Sequence, residues 1–121
     1  MNEDFVPKEI ALKLKEKGLR EKCIKHCYPN STDWFISSVQ ECGNYSSYVD
    51  IPTISQVLKW LRNEKKIYCL PHFEQGIDMW LFCIERPQAG CEFAEYISES
   101  IYDTYEQAAL ASIEYVLDNL I

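Results

Sequence analysis

The sequence predicts an α+β fold: an antiparallel sheet of about four to six strands with three helices packed mainly on one face. Three observations lead there. Two helical stripes start at Thr-x-x-Gln capping signals, and a third stretch is bounded by proline and glycine. The segments between them are short apolar or alternating runs. Those runs are joined by brief turn-forming stretches, which favour antiparallel neighbours. The 121 residues suit one domain spanning 1–121. A chain of this size can bury about two-thirds of its unfolded surface and needs no staple to fold.

The first helix is expected from Pro7 to about Lys17. Proline is favoured at the first helical position, where its missing N–H costs nothing. Ile10, Ala11 and Leu14 fall on one face. Gly18 follows Lys15 and Lys17, a glycine stop after cations that complement the helix dipole. Leu19 is placed for the apolar contact that accompanies such a stop.

The second helix is expected from Thr53, with Thr53 and Gln56 forming the capping box. Ile54, Val57, Leu58 and Leu61 make its apolar stripe, bordered by Trp60. It should end near Lys65 and Lys66. Pro52 keeps Ile51 extended.

The third helix is expected from about Tyr105 to Asn119, capped by Thr104 with Gln107 or by Asp103 with Glu106. Its long stripe is Tyr105, Ala108, Ala109, Ser112, Ile113, Val116, Leu117 and Leu120. The alanines permit close approach to a sheet.

Strands are expected at Cys23–Tyr28, Trp34–Gln40 and Tyr45–Ile51, then at Ile67–Phe73, Met79–Arg86 and Cys91–Ser98. Asn30 to Asp33, Cys42-Gly43-Asn44, Glu74-Gln75-Gly76 and Pro87 to Gly90 supply the turns. The short connections imply an antiparallel meander. Met79 to Ile84 is apolar on both faces and belongs in the centre of a sheet. Pro71 cannot donate to a ladder and marks an edge.

Composition narrows the function classes. Apolar residues make up 47% of the chain and charged residues 26%, which fits a globular protein and not a disordered one. The polar, acidic N-terminus has no signal-peptide pattern. The longest apolar run, Met79 to Ile84, is far too short to span a bilayer. A cytoplasmic location without membrane contact is expected. In that reducing setting Cys23, Cys27, Cys42, Cys69, Cys83 and Cys91 are expected as thiols acting as small hydrophobes, and not as three disulfides.

The net charge of −7 is uneven. Residues 1–30 carry seven Lys/Arg against five Asp/Glu, a balance of +2. Residues 31–66 balance four against four, and residues 67–121 carry only Arg86 against ten carboxylates, a balance of −9. An acidic half repels phosphates, so direct nucleic-acid binding is not expected.

Three stretches carry a resemblance. They are Phe5-Val6-Pro7-Lys8-Glu9-Ile10-Ala11-Leu12-Lys13-Leu14-Lys15-Glu16-Lys17-Gly18, Ile51-Pro52-Thr53-Ile54-Ser55-Gln56-Val57-Leu58-Lys59-Trp60-Leu61-Arg62, and Thr104-Tyr105-Glu106-Gln107-Ala108. In this order they resemble a group of small uncharacterised proteins of Bacteroidetes genomes and their phages or mobile elements. The resemblance runs through the helices and implies a bacterial cytoplasmic or phage-encoded origin. It carries over no functional residue.

Four kinds of chemistry were weighed. Cys23, His26 and Cys27 with the Cys69/His72 pair supply soft ligands of the kind zinc takes. Neither group is a Cys-x-x-Cys knuckle. On strands, His26 points away from Cys23 and Cys27, and Cys69 and His72 alternate between faces. Core cysteines and surface histidines are the plainer expectation, so no metal or cofactor is assigned. Nucleophilic catalysis needs a Cys or Ser beside a base. His26 or His72 could serve Cys69 or Cys42, but nothing selects a pair, and no Gly-rich phosphate loop or Gly-x-Ser-x-Gly elbow is present. Glu92 and Glu95 read as a solvated edge. No catalytic residue is assigned.

Surplus aromatics among Trp34, Phe35, Tyr45, Tyr48, Trp60, Tyr68, Phe73 and Trp80 suit a partner surface. The basic first 30 residues and the acidic half also suit pairing between two copies, a possible homodimer. The expected function is therefore a non-catalytic protein-interaction or accessory module. The alternatives are a small metal-binding or thiol-dependent protein and an acidic nucleic-acid mimic.

Overall fold

The computed structural model describes residues 4–41, 48–87 and 95–121, and of residues 38–41 only the backbone. Two compact units are present, Met1–Gln56 and Val57–Ile121. Each is built on its own three-stranded antiparallel sheet.

In the first unit, α1 covers Lys8–Glu16. Pro7 is its N-cap in extended conformation, one position earlier than expected. Ile10, Ala11 and Leu14 are buried as the stripe requires. Gly18 takes the left-handed φ of 99°. Gly18 N–H donates to Lys15 O and Leu19 N–H to Leu14 O, each at 3.1 Å. That is the paired hydrogen-bond pattern of a glycine-terminated helix, with buried Leu19 as its apolar contact.

The first sheet comprises β1 (Cys23–Cys27), β2 (Trp34–Glu41) and β3 (Val49–Ile51) in the order β2-β1-β3. It is not the expected meander. After the β1–β2 hairpin the chain crosses to the free edge of β1, so β3 pairs with β1 and not with β2. Helix α1 packs against β3. The segment before α1 also joins this unit. Phe5 bridges Thr53, and Val6 N–H donates to Pro52 O at 3.1 Å.

Helix α2 begins at Ile54. Its capping box is complete: Gln56 N–H donates to Thr53 Oγ1 at 3.1 Å, and Thr53 N–H donates to Gln56 Oε1 at 2.9 Å. After Trp60 the helix widens into a π-helical turn over Leu61–Lys65 and stops at Lys66, which is left-handed. Val57, Leu58, Trp60 and Leu61 are all buried. That arc is wider than a narrow amphipathic stripe.

The second sheet is a true meander of β4 (Tyr68–Glu74), β5 (Met79–Glu85) and β6 (Tyr96–Ile97). Apolar β5 is central and Pro71 lies on edge strand β4, as the sequence requires. The β4–β5 turn places Asp78 in the left-handed region at φ 52°. Helix α3 runs Tyr105–Asn119, as expected. It lays Ala108, Ala109, Ser112, Ile113, Val116 and Leu117 inward and packs on β4 and β5. Each fully buried Ile, Val or Leu there is worth about 1.5–3 kcal/mol.

The single sheet of four to six strands is thus corrected to two sheets of three, with α1 serving one and α3 the other. Each half closes its own hydrogen-bond ladder and lays its own helix on it. The expected strand starts at Tyr45 and Cys91 lie outside the described residues. Among the described residues no helix is long and apolar enough to cross a membrane.

Candidate functional site

The sheet β2-β1-β3 has two chemically different faces. Cys23, Lys25 and Cys27 alternate with Ile24 and His26 along β1. On one face lie Cys27 with its partner Val49 and Lys25 with its partner Ile51. Cys23, Cys27, Val49 and Ile51 are all buried. The Lys25 ammonium is held over two rings, 4.6 Å from the centre of Trp34 and 4.9 Å from that of Phe5. A cavity of about 100 Å³ opens beside it, lined in part by Pro7, Lys8, Cys27 and Trp34. Lys8 caps the β1–β2 turn. Its ammonium donates to the carbonyls of Tyr28 (3.0 Å), Pro29 (2.9 Å) and Ser31 (2.6 Å).

The other face carries His26. The imidazole is fully buried, at 0% exposure, and not at the surface as expected. A buried ring must satisfy both nitrogens, and it does so across the sheet. Asp50 on β3 is the direct cross-strand partner of His26. Its Oδ1 lies 2.9 Å from Nδ1. Ser37 on β2 places Oγ 3.2 Å from Nε2. Because an ionised carboxylate only accepts, Nδ1 carries the proton toward Asp50 and Nε2 faces the hydroxyl. The single Ser37 hydroxyl proton has two acceptors in competition, Nε2 and the Ile24 carbonyl, to which Oγ donates at 3.2 Å. Phe35 and Tyr48 wall the imidazole at centroid distances of 5.2 and 6.1 Å. Tyr28 adds a third ring against Phe35 at 5.4 Å. Asp50 is one-fifth exposed and Ser37 is half-buried.

The proposed metal ligands divide between the two units, Cys23, His26 and Cys27 in the first and Cys69 and His72 in the second. Cys23 and Cys27 face away from His26. In the second unit, Cys69 is buried, and exposed His72 sits 3.5 Å from Glu74. Among the described residues no group of three His, Cys, Asp or Glu side chains could hold a metal ion. The Cys69 thiol is pushed up to about 11 by burial, opposed in part by a hydrogen bond with Ser112. Such a thiol is inert at neutral pH. The Cys83 thiol is also raised, first by burial and then by Glu85. Cys42, Cys91, Tyr45 and Glu92 lie outside the described residues. Glu95 receives Arg86, whose Nε lies 3.1 and 3.0 Å from its two oxygens.

The second unit presents an open groove of about 440 Å³ between the 101–103 segment and the outer face of α3. Ile101, Tyr102, Leu110 and Ala111 line it together with the polar Asp103, Gln107 and Glu114. Gln107, Leu110, Ala111 and Glu114 follow helical spacing, so they line one stripe beside the buried one. Helix α3 contains no Lys or Arg to offset the carboxylates. Farther along the sheet, Phe73, Trp80 and Tyr105 form an edge-to-face ladder at 5.3 and 5.5 Å, with Phe73 and Tyr105 each 40% exposed.

In the sequence, His26 stands only as a candidate metal ligand or as a base for a cysteine. Asp50 and Ser37 are distant in sequence and belong to no motif. The available signal was the strand alternation that set His26 apart from Cys23 and Cys27. Compared with known proteins, the chain matches no family model, no curated protein and no solved structure at a significant level.

Proposed function

We propose that the chain is a protein-interaction module whose α3 groove takes a cationic, partly apolar peptide segment, by binding and without chemistry at that groove. The observation that carries this is a groove lining that combines apolar side chains with two carboxylates. Ile101 is half exposed. Covering it and Leu110 removes apolar surface from water, a gain of about 25 cal/mol per Å². Asp103 and Glu114 belong to the same lining and complement Lys or Arg. The balance of −9 over residues 67–121 extends the same preference. Partner and groove attract over a Debye length, so binding weakens with salt.

The test uses a defined probe, an amphipathic helical peptide of Lys and Leu, titrated into the full chain by calorimetry. Leu110→Lys and Glu114→Lys should each weaken binding at least about tenfold, a change of about 1.4 kcal/mol. Glu64→Lys, an exposed position outside the groove's lining, should weaken it far less. Equal weakening by all three would mean diffuse charge attraction and would sink the reading. The partner is a separate protein or a second copy of this chain. Sedimentation at low and high salt separates these, since a salt-independent monomer removes the second copy.

A further inference from the structure

We propose that Ser37, His26 and Asp50 form an acyl-transfer site, with Ser37 Oγ as nucleophile, His26 Nε2 as its general base and Asp50 as the residue that positions the imidazole. This goes beyond the interaction reading and does not depend on it, because the groove belongs to the other unit.

The geometry supplies the nucleophile–base and base–carboxylate contacts of such chemistry, with the Ser37 proton turning from the Ile24 carbonyl to Nε2 when substrate binds. The nucleophile–base contact is 3.2 Å and the base–carboxylate contact 2.9 Å. The three side chains come from three neighbouring strands and meet on one sheet face. Asp50 fixes the tautomer that leaves Nε2 basic, and burial keeps the imidazole from turning.

Ser37 stands where the ladder breaks. Lys25 pairs with Ile36, but Cys23 pairs with Glu41, so β2 has extra residues between Ile36 and Glu41, the stretch that begins with Ser37. Such irregularities re-aim side chains and recur beside active sites. This one lies on an edge strand and leaves Ser37 partly open. The neighbouring rings of Phe35, Tyr48 and Tyr28 favour an apolar acyl or aryl group, so the substrate class is an aryl or short-chain acyl ester.

The step balances without any further reactant but water. Ser37 Oγ bonds to the ester carbonyl carbon as its proton passes to Nε2. The C–O bond to the leaving alcohol breaks, and Nε2 returns the proton to that oxygen. Water then attacks the Ser37 ester with the same base, releasing the acid and restoring the hydroxyl.

The experiment incubates the folded full chain with a fluorophosphonate probe, in which the Ser37 O–P bond forms and fluoride leaves. The adduct is mapped by mass spectrometry. One adduct is expected, on the peptide containing Ser37, and none in Ser37→Ala. Asp50→Asn should slow labelling by at least about 100-fold, within the usual worth of general-base catalysis. Asp50→Glu, which keeps the carboxylate, should stay within about tenfold of the parent. A purely structural role for Asp50 would not separate these two variants. Three results overturn the proposal: a folded parent chain that takes no adduct, an adduct on another residue, or equal labelling of Asp50→Asn and the parent. The first two need no variant to fold.

Discussion

His26 and Asp50 stand directly opposite each other on antiparallel strands, and Nδ1 of the buried ring donates to Oδ1 at 2.9 Å. Removing the carboxylate leaves a buried donor without that acceptor. Asp50→Ala should therefore destabilise the chain by about 1–3 kcal/mol, read as a lower urea midpoint. Asp50→Asn keeps an acceptor oxygen at the same place and should lose less than Asp50→Ala.

Lys8 ties the start of α1 to the β1–β2 turn through three carbonyls. Lys8→Met keeps most of the apolar stem and deletes the donors. A loss of about 1–2 kcal/mol is expected, discounted from the usual value for charged hydrogen bonds because the turn is partly solvated. Faster hydrogen exchange at the Tyr28 and Ser31 amides, which hold the turn to Asp33 and Tyr28, would localise it.

Cys69 makes alkaline stability informative. Its folded thiol is pushed up to about 11 from an ordinary 9.0. A raised value means that the stability it contributes is complete below 9.0 and is lost as pH climbs toward about 11. The loss amounts to at most about 3 kcal/mol. Cys69→Ala should show a shallower decline over that window in urea titrations. An identical decline in both proteins would assign the effect to other groups. In the folded chain at neutral pH, iodoacetamide should spare Cys69 until the chain is unfolded.

The two threonine caps are independent, one on each helix. Thr53 accepts from Gln56 N–H, and Thr104 accepts from Gln107 N–H, both at 3.1 Å. Either Thr→Ala change should cost about 1 kcal/mol. Thr53→Ala should cost the more, because Thr53 is buried and Thr104 is exposed. Thermal unfolding of both variants checks the order.

The helices were legible because their signals are local. A cap, an i, i+3, i+4 stripe and a stop lie within a few residues of one another. The span Tyr105–Asn119 agrees with the expected third helix, and Gly18 takes the left-handed conformation that its place after Lys17 demands. Strand positions were also legible, as were central β5 and edge strand β4. Strand partnership was not. Nothing local tells β3 to pair with β1 instead of β2, since ladder hydrogen bonds are formed by backbone atoms common to every residue.

The candidate sites divide in the same way. The sequence by itself determined the helices, the apolar set and the concentration of carboxylates in residues 67–121. It also determined that His26 would part from Cys23 and Cys27, because side chains alternate along a strand. Only the tertiary structure decided that His26 would be buried and would meet residues 11 and 24 positions away. It also decided that two carboxylates would share a groove lining with apolar side chains on α3. Both depend on which surfaces are brought together, and long-range pairing leaves no periodic trace in a single chain.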